Sequence, residues 1–196
     1  SYVRPEVVAK EENCLIIRAG KYDKLEARDG VVPNDTYLDS NGRVEILEGV
    51  NAGGKTVDMK KALYIASLAL AGSWVPAEYA RVSIRDKIIL REKGTGDVIS
   101  AFQRDCRNVN EATPPEGEYW LIGVDETFTS TERRGGEALT YGLIQYVLDH
   151  GNSLLIMSSH YPALSYSLAG DQRASFNHFP FERQSSEREE GKLVAA

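Results

Sequence analysis

This 196-residue sequence has few of the features that mark disulfide-rich, metal-binding or membrane proteins. It has two cysteines, Cys14 and Cys106, which are too few for a disulfide framework or a cysteine metal site. Its three histidines are scattered along the chain and do not suggest a metal site. The longest apolar run, residues 62–71, is far shorter than the roughly 20 residues that cross a bilayer. The sequence therefore indicates no membrane association.

An excess of positive charge is also missing. The formal net charge is −6, whereas a domain that grips a nucleic acid backbone by itself favours a basic surface. Without an apolar leader or a disulfide framework, we expect a cytoplasmic, intracellular protein. Because the sequence begins at Ser1 without a methionine, we expect residues 1–196 to be one domain of a longer protein. The charged segment 183–196 is expected to be a frayed tail.

What the sequence does contain is a phosphate-binding loop pattern. Residues 49–56 read GVNAGGKT and match G-x-x-x-x-G-K-[ST] at every fixed position. The glycines let the backbone wrap a phosphate chain with its N–H groups toward the oxygens. Lys55 would reach the β- and γ-phosphates, and the Thr56 hydroxyl would hold Mg²⁺. A predicted strand at 43–47 precedes the loop and a predicted helix follows it, which is the order this chemistry requires.

The remaining pattern predicts an α/β fold with a mostly parallel central sheet flanked by helices, and a smaller antiparallel sheet near the N-terminus. Apolar runs predict strands at 15–18, 87–91, 119–126, 153–158 and near 176–181. Helices are predicted at 57–71, 98–111 and 135–150, with a short one after Tyr161. Asn41-Gly42 is typical of a two-residue hairpin turn, which would join an extended segment at 31–38 to the strand before the loop.

Reactive side chains follow two of the predicted buried strands. In a parallel sheet the carboxyl ends of the strands form the ligand edge. Asp125 would belong to the Mg²⁺ shell, and Glu126 would orient or deprotonate the attacking water in nucleotide hydrolysis. The alternative is that both are solvated charges at a strand end. His160 either hydrogen-bonds the γ-phosphate and senses its loss, or is a capping or packing histidine. His178 either lies near a bound base or simply packs.

Three stretches, taken in order, resemble one protein family. The loop GVNAGGKT, the run 121–126 that ends in Asp125-Glu126, and the stretch Ser158-Ser159-His160-Tyr161 resemble the ATPase domain of the MutS family of DNA mismatch repair proteins. These proteins are ABC-type ATPases. The family typically shows G-P-N-M-G-G-K-S-T, an apolar run ending in D-E, and T-H-Y. Landmarks at 2–5, 32–35 and 75–77 extend the resemblance over residues 2–165.

The resemblance implies a P-loop NTPase fold of the ABC-ATPase type. It also implies a head-to-tail dimer, in which each ATP lies between one subunit's loop and the partner's signature segment. Residues 100–106 stand at the place of the family signature S-T-F-M-x-E-M, so Ser100 would donate to the γ-phosphate across the interface. Considered without the family, Ser100 is a helix N-cap. The implied catalytic residues are Glu126 and His160, and the implied metal ligands are Thr56 and Asp125. The implied nucleotide-binding residues are Gly49, Val50, Asn51, Ala52, Gly53, Gly54, Lys55, Thr56 and Ser100.

The sequence also departs from the family pattern. Val50 and Ala52 stand where the family has Pro and Met, and Val31 stands where many members have an aromatic residue that stacks on adenine. Residues 127–134 differ from the family's G-x-G-T-S-T pattern. In the family this segment helps the two ATP sites to communicate. These differences predict a MutS-related protein that is not necessarily a mismatch sensor.

The function that the sequence predicts is binding and hydrolysis of Mg-ATP, which would drive rearrangement of DNA-binding domains absent from this chain. The expected partners are a second copy or a MutS-like protein, and DNA through those other domains. One alternative is another ABC-type ATPase of DNA repair, although the short spacing between residues 56 and 100 leaves no room for a coiled-coil insertion. The other is a nucleotide-dependent dimerisation module without turnover.

Overall fold

A computed structural model describes residues 2–23, 32–49, 54–92, 101–126 and 133–179. Within these ranges strands and helices alternate along much of the chain. The strands are β1 Glu6–Val8, β2 Leu15–Gly20, β3 Asn34–Leu38, β4 Val44–Gly49, β5 Tyr79–Ser83, β6 Lys87–Glu92, β7 Trp120–Asp125, β8 Leu154–Ser158 and β9 Ala174–Phe179. The helices are α1 Lys55–Leu70, α2 Ala101–Ala112, α3 Arg133–His150 and α4 Pro162–Leu168. No helix in these ranges is long and apolar enough to cross a membrane.

The central sheet has five strands in the order β6-β7-β8-β4-β9, and every neighbouring pair is parallel. Both faces are covered, which explains why these strands read as continuous apolar runs. In β7, for example, Leu121 packs into the core on the α1 side, and Ile122 packs into the core on the opposite side. The predicted α/β fold with a mostly parallel sheet flanked by helices is confirmed.

The smaller sheet differs from the prediction. Its order is β1-β5-β2-β3, in which β2 is antiparallel to both of its neighbours but β1 pairs with β5 in parallel. The sheet is therefore mixed and not antiparallel throughout. Strands β1 and β5 are not evident from the sequence, because each is short and lacks a long apolar run.

The predicted hairpin at Asn41-Gly42 is wrong, although the turn itself exists. One carboxylate oxygen of Asp39 accepts hydrogen bonds from the backbone N–H groups of Asn41 and Gly42, both at 2.8 Å. The strands on either side do not pair, because β3 joins the small sheet and β4 joins the central one. Tertiary packing gives each strand a different neighbour, and a local turn signal cannot exclude that.

Helix α1 joins the two sheets. It begins directly after Gly54, whose φ of 91° lies in the left-handed region that favours glycine. Met59, Ala62 and Ile65 of this helix are fully buried in a core shared with both sheets. Buried residues occur along most of the length of α1. Because this core fixes α1, it also fixes Lys55 and Thr56 at the carboxyl edge of the central sheet.

The opposite face of the central sheet is covered by α3 and α4, with Ala112 of α2 at its margin. Leu143, Ile144, Val147 and Leu148 supply the buried stripe of α3. The predicted start of the second helix, residues 98–100, and the tail 183–196 lie outside the described residues. Both cysteines are free thiols.

Candidate functional site

Three neighbouring elements of the central sheet carry the site. Strands β7, β8 and β4 lie side by side in that order. Their carboxyl ends present Asp125, His160 just beyond Ser158, and Gly49 before the loop. Helix α1 begins at the same edge. The topology therefore brings together residues that are more than 100 positions apart in sequence, as the parallel-sheet prediction requires.

Thr56 and Asp125 are in direct contact. The Thr56 hydroxyl lies 3.0 and 2.9 Å from the two carboxylate oxygens of Asp125. Both groups offer hard oxygen atoms, which are the ligands that Mg²⁺ prefers in proteins. Since they lie together at the start of α1 and the end of β7, these two residues fit a magnesium ion.

The Lys55 amine lies close to three groups. It donates to the Gly49 carbonyl at 2.5 Å, and it lies 3.5 Å from a carboxylate oxygen of Glu126 and 3.2 Å from Nε2 of His160. The lysine is only 2% exposed. A buried ammonium group requires charge or dipole compensation, and here Glu126 and the carbonyl provide it.

Glu126 and His160 are in direct contact, with 2.6 Å between Oε1 and Nε2. The same ring nitrogen cannot donate to Glu126 and accept from Lys55 at once. The shorter contact favours a proton on Nε2 that is donated to the carboxylate. His160 is thus placed between the two charged residues, where it can respond to a change at either one.

The backbone of Glu126 is unusual. Its φ of +44° is in the left-handed region, which is rare for a residue other than glycine. Its N–H donates to the hydroxyl of Ser158 at 3.0 Å, and the same hydroxyl donates to Asp125 at 2.7 Å. No role for Ser158 is predicted from the sequence. The sequence shows that Ser158 comes immediately before Ser159-His160. It does not show the contacts of Ser158 with β7, because these depend on the strand order.

Gly49 ends β4 in a conformation that only glycine adopts easily, with φ of 136°. A Cβ atom at this position would lie 2.4 Å from the carbonyl oxygen of Phe179 on β9. The edge strand therefore approaches the start of the loop too closely for any side chain. This gives the first glycine of the pattern a structural reason in addition to its predicted phosphate contact.

A cleft of about 410 Å³ opens beside Gly49 and His160, between the ends of β8, β4 and β9 and helix α4. Glu48 lies in its wall, where one carboxylate oxygen accepts from Ser165 at 2.7 Å and the other lies 3.2 Å from Nδ1 of His178. His178, whose role the sequence left open, is thus a partner of Glu48 at the rim of this cleft.

A second group of charges is buried under the site. Glu45 of β4 is only 6% exposed. One of its carboxylate oxygens accepts from Asn177 at 3.3 Å, and the other has no hydrogen-bond partner among the described residues. Burial, reinforced by the nearby Asp58 carboxylate, raises the pKa of Glu45 to about 7. Lys61 binds Asp58 at 2.6 Å and the Asn34 carbonyl at 3.0 Å. These groups connect α1 to both sheets.

The predicted site residues divide into two groups. The structure brings together Gly49, Gly54, Lys55, Thr56, Asp125, Glu126 and His160 at one edge of the sheet. Residues Val50, Asn51, Ala52, Gly53 and Ser100 lie outside the described residues, and so does Val31.

The fold and the site together define a class. This is an α/β protein whose parallel sheet carries, at its carboxyl edge, a buried lysine, a hydroxyl and two carboxylates suited to a charged ligand.

Comparison with known proteins then gives the family. Residues 45–190 match the family MutS domain V. The chain is 31% identical over 173 residues to the DNA mismatch repair protein MSH3 of Arabidopsis thaliana, with 84% of this chain and 16% of that protein covered. It is 32% identical over 170 residues to Msh3 of Mus musculus, with 83% of this chain and 15% of that protein covered. It is 33% identical over 171 residues to MutS of Carboxydothermus hydrogenoformans, with 84% of this chain and 20% of that protein covered. The chain belongs to the MutS family, and it spans a fifth or less of the length of these relatives.

Proposed function

We propose that this chain is the ATP-hydrolysing domain of a MutS-type protein, with a P-loop NTPase fold of the ABC type. The observation that carries the proposal is the convergence of Lys55, Thr56, Asp125, Glu126 and His160 within hydrogen-bonding or ion-pair distance at the carboxyl edge of a parallel sheet. Family membership supports the same conclusion. The substrate we infer is ATP together with Mg²⁺.

Thr56 and Asp125 are the residues that would hold Mg²⁺. When bound, the ion would neutralise part of the charge on the β- and γ-phosphates. The residues themselves supply the oxygen atoms and their fixed spacing, because α1 and β7 are both anchored in the core. We expect the loop residues 49–54 to add backbone N–H groups around the phosphates.

Lys55 and Glu126 would exchange partners when the nucleotide binds. In this structure Glu126 compensates part of the lysine charge at 3.5 Å. A phosphate group competes for the same ammonium and binds it by a charge-assisted hydrogen bond. Glu126 would then be released to orient or deprotonate the attacking water. His160, at 2.6 Å from Glu126, would sense this change and hydrogen-bond the γ-phosphate.

The experiment that tests the proposal compares binding and turnover of ATP by three variants of the chain. Lys55→Ala should abolish Mg-ATP binding, because it removes the positive charge that would bind the phosphates. Glu126→Gln should keep binding but lose at least about 100-fold in turnover, because an amide cannot act as a base. Glu116→Gln carries the same change in charge on an exposed loop before β7 and should behave like the parent.

Calorimetry measures the binding and phosphate release measures the turnover. A parent chain that neither binds nor hydrolyses ATP would overturn the proposal. Binding without turnover, unaltered by Glu126→Gln, would favour a nucleotide-dependent dimerisation module instead.

The proposed role of turnover is to rearrange DNA-binding domains in the longer protein, in DNA mismatch repair or a related process. The relatives named above are mismatch repair proteins. With a formal charge of −6, the isolated chain should have no appreciable affinity for duplex DNA at physiological salt. Micromolar binding with a steep salt dependence, measured by fluorescence anisotropy, would contradict this division of roles.

A further inference from the structure

Ser158, the last residue of β8, contacts both acids of the site. Its Oγ donates to Oδ1 of Asp125 at 2.7 Å and accepts from the N–H of Glu126 at 3.0 Å. A hydroxyl has one proton and two lone pairs, so the two bonds are compatible. Ser158 is 4% exposed. The serine end of both bonds is therefore buried, whereas Asp125 and Glu126 are half-buried.

The strand register explains why this serine reaches both acids. Asp125 and Ser158 are direct partners in the parallel ladder between β7 and β8. The bond from Glu126 forms one residue later, where the chain leaves the ladder with φ of +44°. A left-handed conformation at a residue other than glycine persists only when its surroundings hold it. The Ser158 hydroxyl is one such restraint.

We propose that Ser158 is a positioning residue, which holds the Asp125 carboxylate against Thr56 and the Glu126 backbone in its left-handed turn. Asp125 is thereby fixed from two sides, by the hydroxyl of Thr56 on α1 and by that of Ser158 on β8. The orientation of Glu126 toward His160 depends on the same turn. The consequence for catalysis rests on the proposed function, in which Asp125 holds Mg²⁺ and Glu126 acts on water.

The chain contains a matched control at the other end of the same two strands. Ser153 is fully buried just before β8, accepts from the N–H of Trp120 at 2.9 Å and donates to the Glu118 carbonyl at 3.1 Å. It thus makes the same kinds of bond to the segment leading into β7, but at the edge opposite the site. A purely structural role predicts similar effects for loss of either hydroxyl.

The first measurement is amide hydrogen exchange by NMR on the full chain, for the parent, Ser158→Ala, Ser158→Thr and Ser153→Ala. We expect the Glu126 N–H to be protected in the parent and to exchange at least about tenfold faster in Ser158→Ala. Ser153→Ala should accelerate exchange at Trp120 and leave Glu126 unchanged. Ser158→Thr retains the hydroxyl and should retain the protection.

The second measurement is ATP turnover as a function of Mg²⁺ concentration. Loss of an outer hydrogen bond to a metal-binding carboxylate typically costs about 10- to 100-fold in metal affinity or activity. Ser158→Ala should therefore require more Mg²⁺ for half-maximal turnover, or turn over more slowly at saturation. Ser153→Ala should match the parent, and Ser158→Thr should recover most of the activity.

The outcomes separate this inference from the proposed function. Rapid exchange of the Glu126 N–H in the unmutated parent would overturn the positioning role without any variant, even if Ser158→Ala does not fold. Equal effects of the two serine-to-alanine changes on Glu126 exchange and on Mg²⁺ dependence would also overturn it. A parent that does not hydrolyse ATP would instead refute the proposed function, and the exchange data would still decide whether Ser158 positions the two acids.

Discussion

The hydroxyl of Thr56 lies 3.0 and 2.9 Å from the two carboxylate oxygens of Asp125, joining the first turn of α1 to the end of β7. The two residues are 69 positions apart in sequence. Their contact requires that α1 begins at the edge of the central sheet where β7 ends. The pair is the part of the site that most directly suggests Mg²⁺, because both partners offer hard oxygen ligands.

Removing the Thr56 hydroxyl should separate nucleotide binding from Mg²⁺ binding. Thr56→Val keeps the shape of the side chain but has no oxygen, so we expect the apparent Mg²⁺ affinity during ATP binding to weaken by at least about tenfold. Thr56→Ser keeps the oxygen and should stay near the parent. Titration of Mg²⁺ at fixed ATP measures the difference, with ATP binding in EDTA as the reference. An unchanged Mg²⁺ dependence of the valine variant would remove Thr56 from the metal site.

Glu45 should make the stability of the chain fall as the pH rises. Its pKa is raised from 4.5 to about 7 in the folded state, so the folded chain binds this proton more tightly than the unfolded chain does. Its contribution is therefore most favourable below pH 4.5 and is lost between pH 4.5 and 7. The difference corresponds to about 3 kcal/mol. Asp58 and Lys61 of α1 and Asn177 of β9 face Glu45, and of these Asp58 raises its pKa whereas Lys61 and Asn177 lower it.

The variant that tests this is Glu45→Gln, which stays uncharged at every pH. Urea unfolding should give it a higher free energy of unfolding than the parent at pH 8, and the advantage should shrink toward pH 5. The exposed Glu78 offers a control, and Glu78→Gln should follow the parent at both pH values. Parallel pH profiles for Glu45→Gln and the parent would show that Glu45 is not the buried acid described here.

Gly49→Ala should destabilise the fold as well as the loop. At Gly49 the φ of +136° and the Phe179 carbonyl, 2.4 Å from a Cβ atom, both oppose a side chain. Gly72 has φ of +77° but nothing within 4 Å of a Cβ atom, so Gly72→Ala isolates the backbone cost of about 1–2 kcal/mol. We expect Gly49→Ala to destabilise the fold by about 1–3 kcal/mol more than Gly72→Ala does, because the Phe179 backbone must move to make room for the Cβ atom. The denaturant midpoints of both variants measure the destabilisation. Equal destabilisation by Gly49→Ala and Gly72→Ala would mean that β9 can move away from the Cβ atom without loss of stability.

Mixed dimers would test the composite site that the proposed function implies for Ser100. Lys55→Ala and Ser100→Arg homodimers should each be inactive, because every site carries one defect. Random mixing of equal amounts makes half of the dimers mixed, and each of these has one intact site of two. About a quarter of parental turnover should therefore return if the sites act independently. If dimers form, as sizing measurements would establish, and mixing restores nothing, Ser100 is a helix cap only.

The sequence by itself determined the local parts of this protein. The spacing of Gly49, Gly54, Lys55 and Thr56 was readable because a phosphate loop is a contiguous chain segment. The sequence also places the acids and His160 at the ends of buried strands, because a buried strand is a short apolar run whose end can be located in the sequence. The alternation of buried strands with helices predicted the parallel sheet, and the reactive residues after these strands predicted a site at its carboxyl edge.

Only the tertiary structure decided which strands are neighbours. An apolar run shows that a strand is buried but does not say which strand lies beside it. The turn at Asn41-Gly42 is present, but β3 and β4 belong to different sheets and do not form the predicted hairpin. The two contacts of Ser158 arise from the β7–β8 register, and the raised pKa of Glu45 arises from its burial beside Asp58. Each depends on residues far apart in sequence, whose proximity results from packing two sheets around α1 and not from any local preference.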